Sequence, residues 1–149
     1  MLVFNKNMAA GLAGALVLNI IHQVMKKVDR KAPHIDEIGE EALSKTIEAT
    51  GNEPPKGNKL FLATLGGDLL ANATYFSLVG KGGDRYRLLM GVGLGAVAGL
   101  GALTLTKPLG LKDEPVNRSF KTQLMTVSWY VLGGLASALT LSLIKERAH

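Results

Sequence analysis

The chain has 149 residues, 47% of them hydrophobic and 19% charged, with a formal net charge of +5 and no cysteine. That length suits one domain, and the lack of cysteine excludes disulfides, thiolate catalysis and cysteine metal sites. The basic residues flank apolar segments instead of forming one dense run, so the positive balance points to membrane edges and topology, not to nucleic acid.

Residues 7–25, 88–106 and 122–144 contain no charged residue, and 60–80 contain only Asp68. Each approaches the ~20 residues that cross a bilayer core. The sequence therefore predicts an all-α integral membrane protein, one domain over 1–149, with four transmembrane helices near 8–25, 60–80, 88–106 and 122–144. A soluble four-helix bundle would show a polar outer stripe about every 3.6 residues. The stretch "LLMGVGLGAVAGLGALTLT" at 88–106 has none.

In the first segment Lys6 precedes the apolar run, as in a signal peptide, but Lys26, Lys27, Arg30 and Lys31 follow it with no small-residue cleavage site before them. The segment is expected to be retained as helix 1. Asn19, His22, Gln23 and Lys26 share one of its faces.

The next connection, "APHIDEIGEEALSKTIEATGNEPPKGNK", offers Pro33 near a start, acids Asp36, Glu37, Glu40 and Glu41 in the early turns, and Gly51, Pro54 and Pro55 as a stop. Ile35, Ile38, Ala42 and Thr46, with Leu43 and Ile47 beside them, make an apolar stripe. This reads as a short amphipathic helix near 34–50 that caps the bundle or connects its helices, its acidity arguing against anionic lipid. His34 and Asp36 are candidates to line an entrance, although a lone H-x-D does not define a metal site.

In the second apolar segment Thr64, Asp68, Asn72 and Tyr75 fall on one narrow face. Tyr86, beside Arg85 and Arg87, suits an interfacial belt. In the third, Gly91, Gly95 and Gly99 repeat every four residues and predict a smooth groove for close helix packing. "GVGLGA" matches a dinucleotide fingerprint, but no strand precedes it and no acid follows about 20 residues on, so no cofactor is expected. The fourth segment carries Thr126, Tyr130, Gly133, Ser137 and Thr140 as a small and polar stripe, with Trp129 assigned to packing or the belt.

Polar groups facing lipid are costly, so these three polar faces should point at one another. Counted from one membrane face, Asn19, Asp68 and Tyr130 lie at similar depth, with His22 and Thr64 one layer nearer that face. The expected ligand- or ion-binding set is Asp68, Asn19, His22, Asn72, Tyr130, Thr64 and Tyr75, without metal. An intramembrane Asp needs a partner or a proton, and His22 or Lys26 is the expected partner charge. The alternative is that Asp68 and Asn72 only glue helices together.

Four crossings put both termini and the 81–87 loop on one face with Lys6, Lys81, Arg85, Arg87, Lys145 and Arg147, against eleven basic residues on the other. The positive-inside rule then makes the two larger loops cytoplasmic and both termini periplasmic. The strings "AGLAGALVLNIIHQVMKKVDRKAPHIDEIG", "GDLLANATYFSLVG" and "WYVLGGLAS" resemble an uncharacterised family of small four-helix bacterial membrane proteins. The resemblance implies the bacterial inner membrane and carries no activity.

Three functions fit. The first is a pocket around Asp68 that binds or conducts a proton, cation or small polar ligand, conduction requiring a homo-oligomer. The second is an accessory subunit docking on other membrane subunits through the glycine face. The third is a membrane enzyme acting on lipid or quinone with His22 and Asp68 as acid and base; no H-E-x-x-H, G-x-S-x-G or P-loop supports it.

Overall fold

The computed structural model describes residues 5–146, which are helical and connecting segments without a strand. Helix α1, Lys6–Val28, starts where the Asn5 side chain accepts the Met8 N–H at 2.9 Å and ends with Lys26 and Lys27 beside its terminal carbonyls. After a reversal, α2 spans Ile35–Ala49 with Asp36 and Glu37 in its first turn, and it stops before Gly51, whose φ of 80° reverses the chain. Then come α3, Asn58–Phe76, a 3-10 turn at Ser77–Gly82, and α4, Gly83–Thr104. The single turn α5, Glu114–Asn117, precedes α6, Phe120–Glu146.

The α3 backbone tightens into the 3-10 turn at Ser77, short of the expected end at 80, where Gly80 lies against the Asn7 side chain with no room for a Cβ. Helix α4 starts at Gly83, earlier than expected. Arg87, expected in a surface loop, is instead buried and donates to Ser142 Oγ at 2.9 Å and to Asp84. Arg147, used in the topology argument, lies outside the described residues.

Three helical stretches are long and apolar enough to cross a membrane: Lys6–Val28, Asn58–Thr104 and Phe120–Glu146. The middle one is bent back on itself. Tyr75 Oη donates to the Leu94 carbonyl at 2.8 Å, whereas 19 residues of straight helix would separate them by about 28 Å. Helices α3 and α4 are thus antiparallel.

Helix α1 packs between α3 and α6, and α6 between α1 and α4, while α3 and α4 meet sparsely and leave a groove. The contacts are built on small residues. A Cβ on Gly91 would lie 2.5 Å from the Gly134 carbonyl, one on Gly99 2.7 Å from Val127 Cα, and one on Gly95 would strike the Tyr130 carbonyl. The expected glycine stripe therefore faces α6. Gly11 and Gly14 of α1 do the same against α3 and α6, a second close seam that the sequence reading did not single out. Outside, Ile20, Val24, Leu70, Leu89, Val97 and Leu139 are exposed, whereas Thr122, Thr126 and Ser137 are fully buried. Small and polar inside with large apolar side chains outside suits lipid better than water.

Candidate functional site

The short reversal at 29–34 lays the first turn of α2 over the end of α1. Ile35 N–H donates to His22 Nε2 at 3.2 Å, which uses the Nε2 lone pair and fixes the ring as the Nδ1–H tautomer. Asp36 then falls between α1 side chains, with Oδ1 3.5 Å from His22 Nε2 and Oδ2 2.5 Å from Lys26 Nζ. Burial is the largest single influence and works against ionisation of Asp36, but the Lys26 ammonium, the His22 ring and the Glu37 N–H together outweigh it and hold the carboxyl below its ordinary value of 3.8.

This overturns one expectation. His22 and Lys26 serve Asp36, and no described cation pairs with Asp68. Asp68 is half-buried and accepts from Asn72 Nδ2 at 3.0 Å, one turn along α3, with Asn19 on the facing helix beside it.

Asn19, His22, Asp36, Thr64 and Asp68 line one cavity of about 20 Å³ between α1, α2 and α3, closed by Phe61, Leu65 and Ile35. His22 is 4% and Thr64 7% exposed, so the walls are buried polar groups. Two of their atoms, Thr64 Oγ1 and Asp36 Oδ1, have no hydrogen-bond partner among the described residues.

The other expected residues lie on the far side of Asp68. Asn72, Tyr75 and Tyr130 line the groove between α3 and α4, about 510 Å³, whose walls are otherwise mostly apolar, among them Ala71, Val97, Ala98 and Leu105. Tyr75 is committed to the Leu94 carbonyl. Asp68 lines both spaces, as do Ile35 and Gly39 of α2. The expected site residues thus gather around Asp68 but in two compartments, not one.

The remaining candidates are structural. Thr126 donates to the Thr122 carbonyl at 2.9 Å, and Ser137 to the Phe76 carbonyl at 3.1 Å. Trp129 is buried with its ring 5.9 Å from that of His22, so it packs inside and does not belong to a belt. Tyr86 is exposed beneath the Arg85 guanidinium at 5.5 Å. His34 meets Glu37 at 2.6 Å, away from the cavity walls. Among the described residues no cluster of His, Asp and Glu is arranged to hold a metal ion.

Asp36 was the residue that sequence reasoning undervalued. The signal was the shortness of the connection, since only six residues separate Val28 from Ile35 and the first turn of α2 must therefore sit on the last turns of α1.

Fold and site together define an all-helical bundle with membrane-length apolar stretches and a half-buried carboxyl group set between a small polar cavity and an apolar groove. Comparison of the chain with protein-family models, with curated proteins and with solved structures finds no match, so no activity reaches it from a relative.

Proposed function

We propose that the chain is a small membrane protein of four crossings, with α3 and α4 as separate spans and both termini on one side, in which Asp68 takes up and releases a proton. The supporting observation is the environment of Asp68. It lies in the middle of an apolar helix, holds hydrogen-bond donors but no described cation, and borders a cavity with room for about one water molecule. That size disfavours a polyatomic ligand. In this reading protonation neutralises a carboxylate that is costly at membrane depth, and the charge state biases how α2 and α3 pack. The proposed setting is the bacterial inner membrane, with the α1–α2 and α4–α6 connections in the cytoplasm.

The test is infrared spectroscopy of the protein in lipid nanodiscs across pH. A protonated carboxyl C=O band that titrates in the wild type and disappears in Asp68→Asn supports the reading; spectra that superpose at every pH sink it.

The groove favours a second reading, an accessory subunit. A cleft of about 510 Å³ with mostly apolar walls suits a helix or chain from a membrane partner. Light scattering on the detergent-solubilised protein, with identification of co-purifying subunits, separates this from a self-sufficient homo-oligomer. The enzyme reading weakens, because the His22 Nε2 it needs as a base accepts Ile35 N–H and faces Asp36.

A further inference from the structure

We propose that the 20 Å³ cavity holds a single water molecule that passes protons between Asp68 and Asp36, giving the half-buried carboxyl group a route to the aqueous phase at the α1–α2 end. The inference rests on the reading of Asp68 as a proton-binding group and adds the route.

The cavity is a built site. Its volume is slightly more than one water needs, and a buried water is held by two to four polar partners. Those partners are present. Thr64 Oγ1 and Asp36 Oδ1 are buried without a hydrogen-bond partner among the described residues, and Asp68 lines the same space. Leaving such groups unsatisfied is costly, and one water offers two donors and two acceptors at their meeting point. It donates to Asp36 Oδ1 and to the Asp68 carboxylate, and accepts from the Thr64 hydroxyl.

The neighbouring groups leave this route and close others. Lining the two spaces with Asp68 are Asn19 and His22 from α1, Asp36 from α2 and Tyr130 from α6, with Asn72 and Tyr75 on its own helix, while Lys26 and Glu40 lie on the Asp36 side. His22 Nε2 is taken by Ile35 N–H, so the ring is not the carrier. Lys26 binds Asp36 Oδ2, which leaves the buried Oδ1 as the free acceptor of a cavity-lining residue, and already supplies the positive charge that a bound metal cation would bring. Away from α2, Tyr75 is committed to the Leu94 carbonyl, Ser137 to the Phe76 carbonyl and Arg87 to Ser142 and Asp84, which leaves Tyr130 as the polar group beside Asp68 on the groove side.

In the transfer the Asp68 O–H bond breaks and its proton joins the water oxygen, while one of the water's own protons passes to Asp36 Oδ1. Asp68 gains the negative charge that Asp36 loses, and the water is regenerated. Rotation of the Asp36 carboxyl then carries that O–H from the cavity to the α1–α2 surface, where the Asp36 side chain is 11% exposed beside Lys26, and the proton leaves to bulk water.

The experiment is hydrogen–deuterium exchange of the Asp68 carboxyl proton in nanodiscs, read as the downshift of its infrared band after a switch to D2O. Thr64→Val should slow the exchange by about 10²-fold, the lower end of what a positioned proton carrier contributes, while Thr64→Ser keeps the wild-type rate. Unchanged or faster exchange in Thr64→Val, with native helical content, overturns the relay. If Thr64→Val does not fold, Thr64→Ala decides by the same criterion; Asp36→Asn is not used, because it also unfastens α2. A wild type in which no carboxyl band is removed by Asp68→Asn overturns the parent reading instead, so the two failures are distinct.

Discussion

Lys26 Nζ lies 2.5 Å from Asp36 Oδ2 and fastens the first turn of α2 to the last turn of α1, leaving Asp68 with hydrogen bonds but no described counter-ion. The two carboxyl groups at the small cavity are therefore not equivalent. One is charged and tied down, and the other carries the titration that the proposed function requires.

The Asp36 tie has a pH signature. Its folded-state carboxyl is held below the ordinary 3.8 because Lys26, His22 and the Glu37 N–H together outweigh burial, so its stabilising contribution is full above about pH 4 and is lost as pH falls through the lower folded value. A fluorophore on exposed Glu48 of α2 should report release of the helix at acid pH. In Asp36→Asn that acid step should be missing, and an identical step in both proteins would refute the assignment.

The glycine seam gives a paired test. Gly95 has the Tyr130 carbonyl where a Cβ would stand, whereas a Cβ on Gly93 meets nothing within 4 Å. Gly95→Leu should lower stability by at least about 1–3 kcal/mol through overpacking, and Gly93→Leu should leave it within about 0.5 kcal/mol. Thermal melts in one detergent compare them, and equal melting temperatures for the two variants would contradict the packing.

At Asp68, replacement by Asn keeps shape and most hydrogen bonding, so the fold should survive while proton uptake is lost. Asp68→Leu also removes the acceptor of the part-buried Asn72 Nδ2, at about 1 kcal/mol for a lost hydrogen bond. Wild-type proton uptake in Asp68→Asn, with only Asp68→Leu destabilised, would leave the carboxylate as helix glue.

Four crossings predict matched termini. The chain has no native cysteine, so Lys6→Cys and Glu146→Cys should react alike with an impermeant thiol reagent added from one side, and Lys56→Cys in the α2–α3 connection oppositely. Opposite labelling at Lys6 and Glu146 would mean an odd number of crossings.

The long helices and the glycine seam were legible because both depend on local composition: an uncharged run near 20 residues, and small residues four apart. The gathering of Asn19, His22, Thr64 and Asp68 was legible too, since depth along each helix can be counted. Partner choice was not. Whether Lys26 reaches Asp68 or Asp36 depends on how the 29–34 reversal places α2, a tertiary outcome no period in the sequence encodes. Arg87 was misplaced for a similar reason, because its place beside Ser142 exists only once α4 has packed on α6. Nor does periodicity reveal that α3 and α4 stand apart, which splits the polar residues between a cavity and a groove.

Ile35 and Gly39 belong to the walls of both spaces, so α2 is a partition that the two volumes share. Any molecule that enters the groove by displacing α2 also changes the hydration of Asp68, and thermodynamic reciprocity requires the protonation of Asp68 to alter the affinity of that molecule by the same factor. Ligand uptake measured at two pH values, set beside proton release measured on ligand addition, would give one coupling constant from opposite directions.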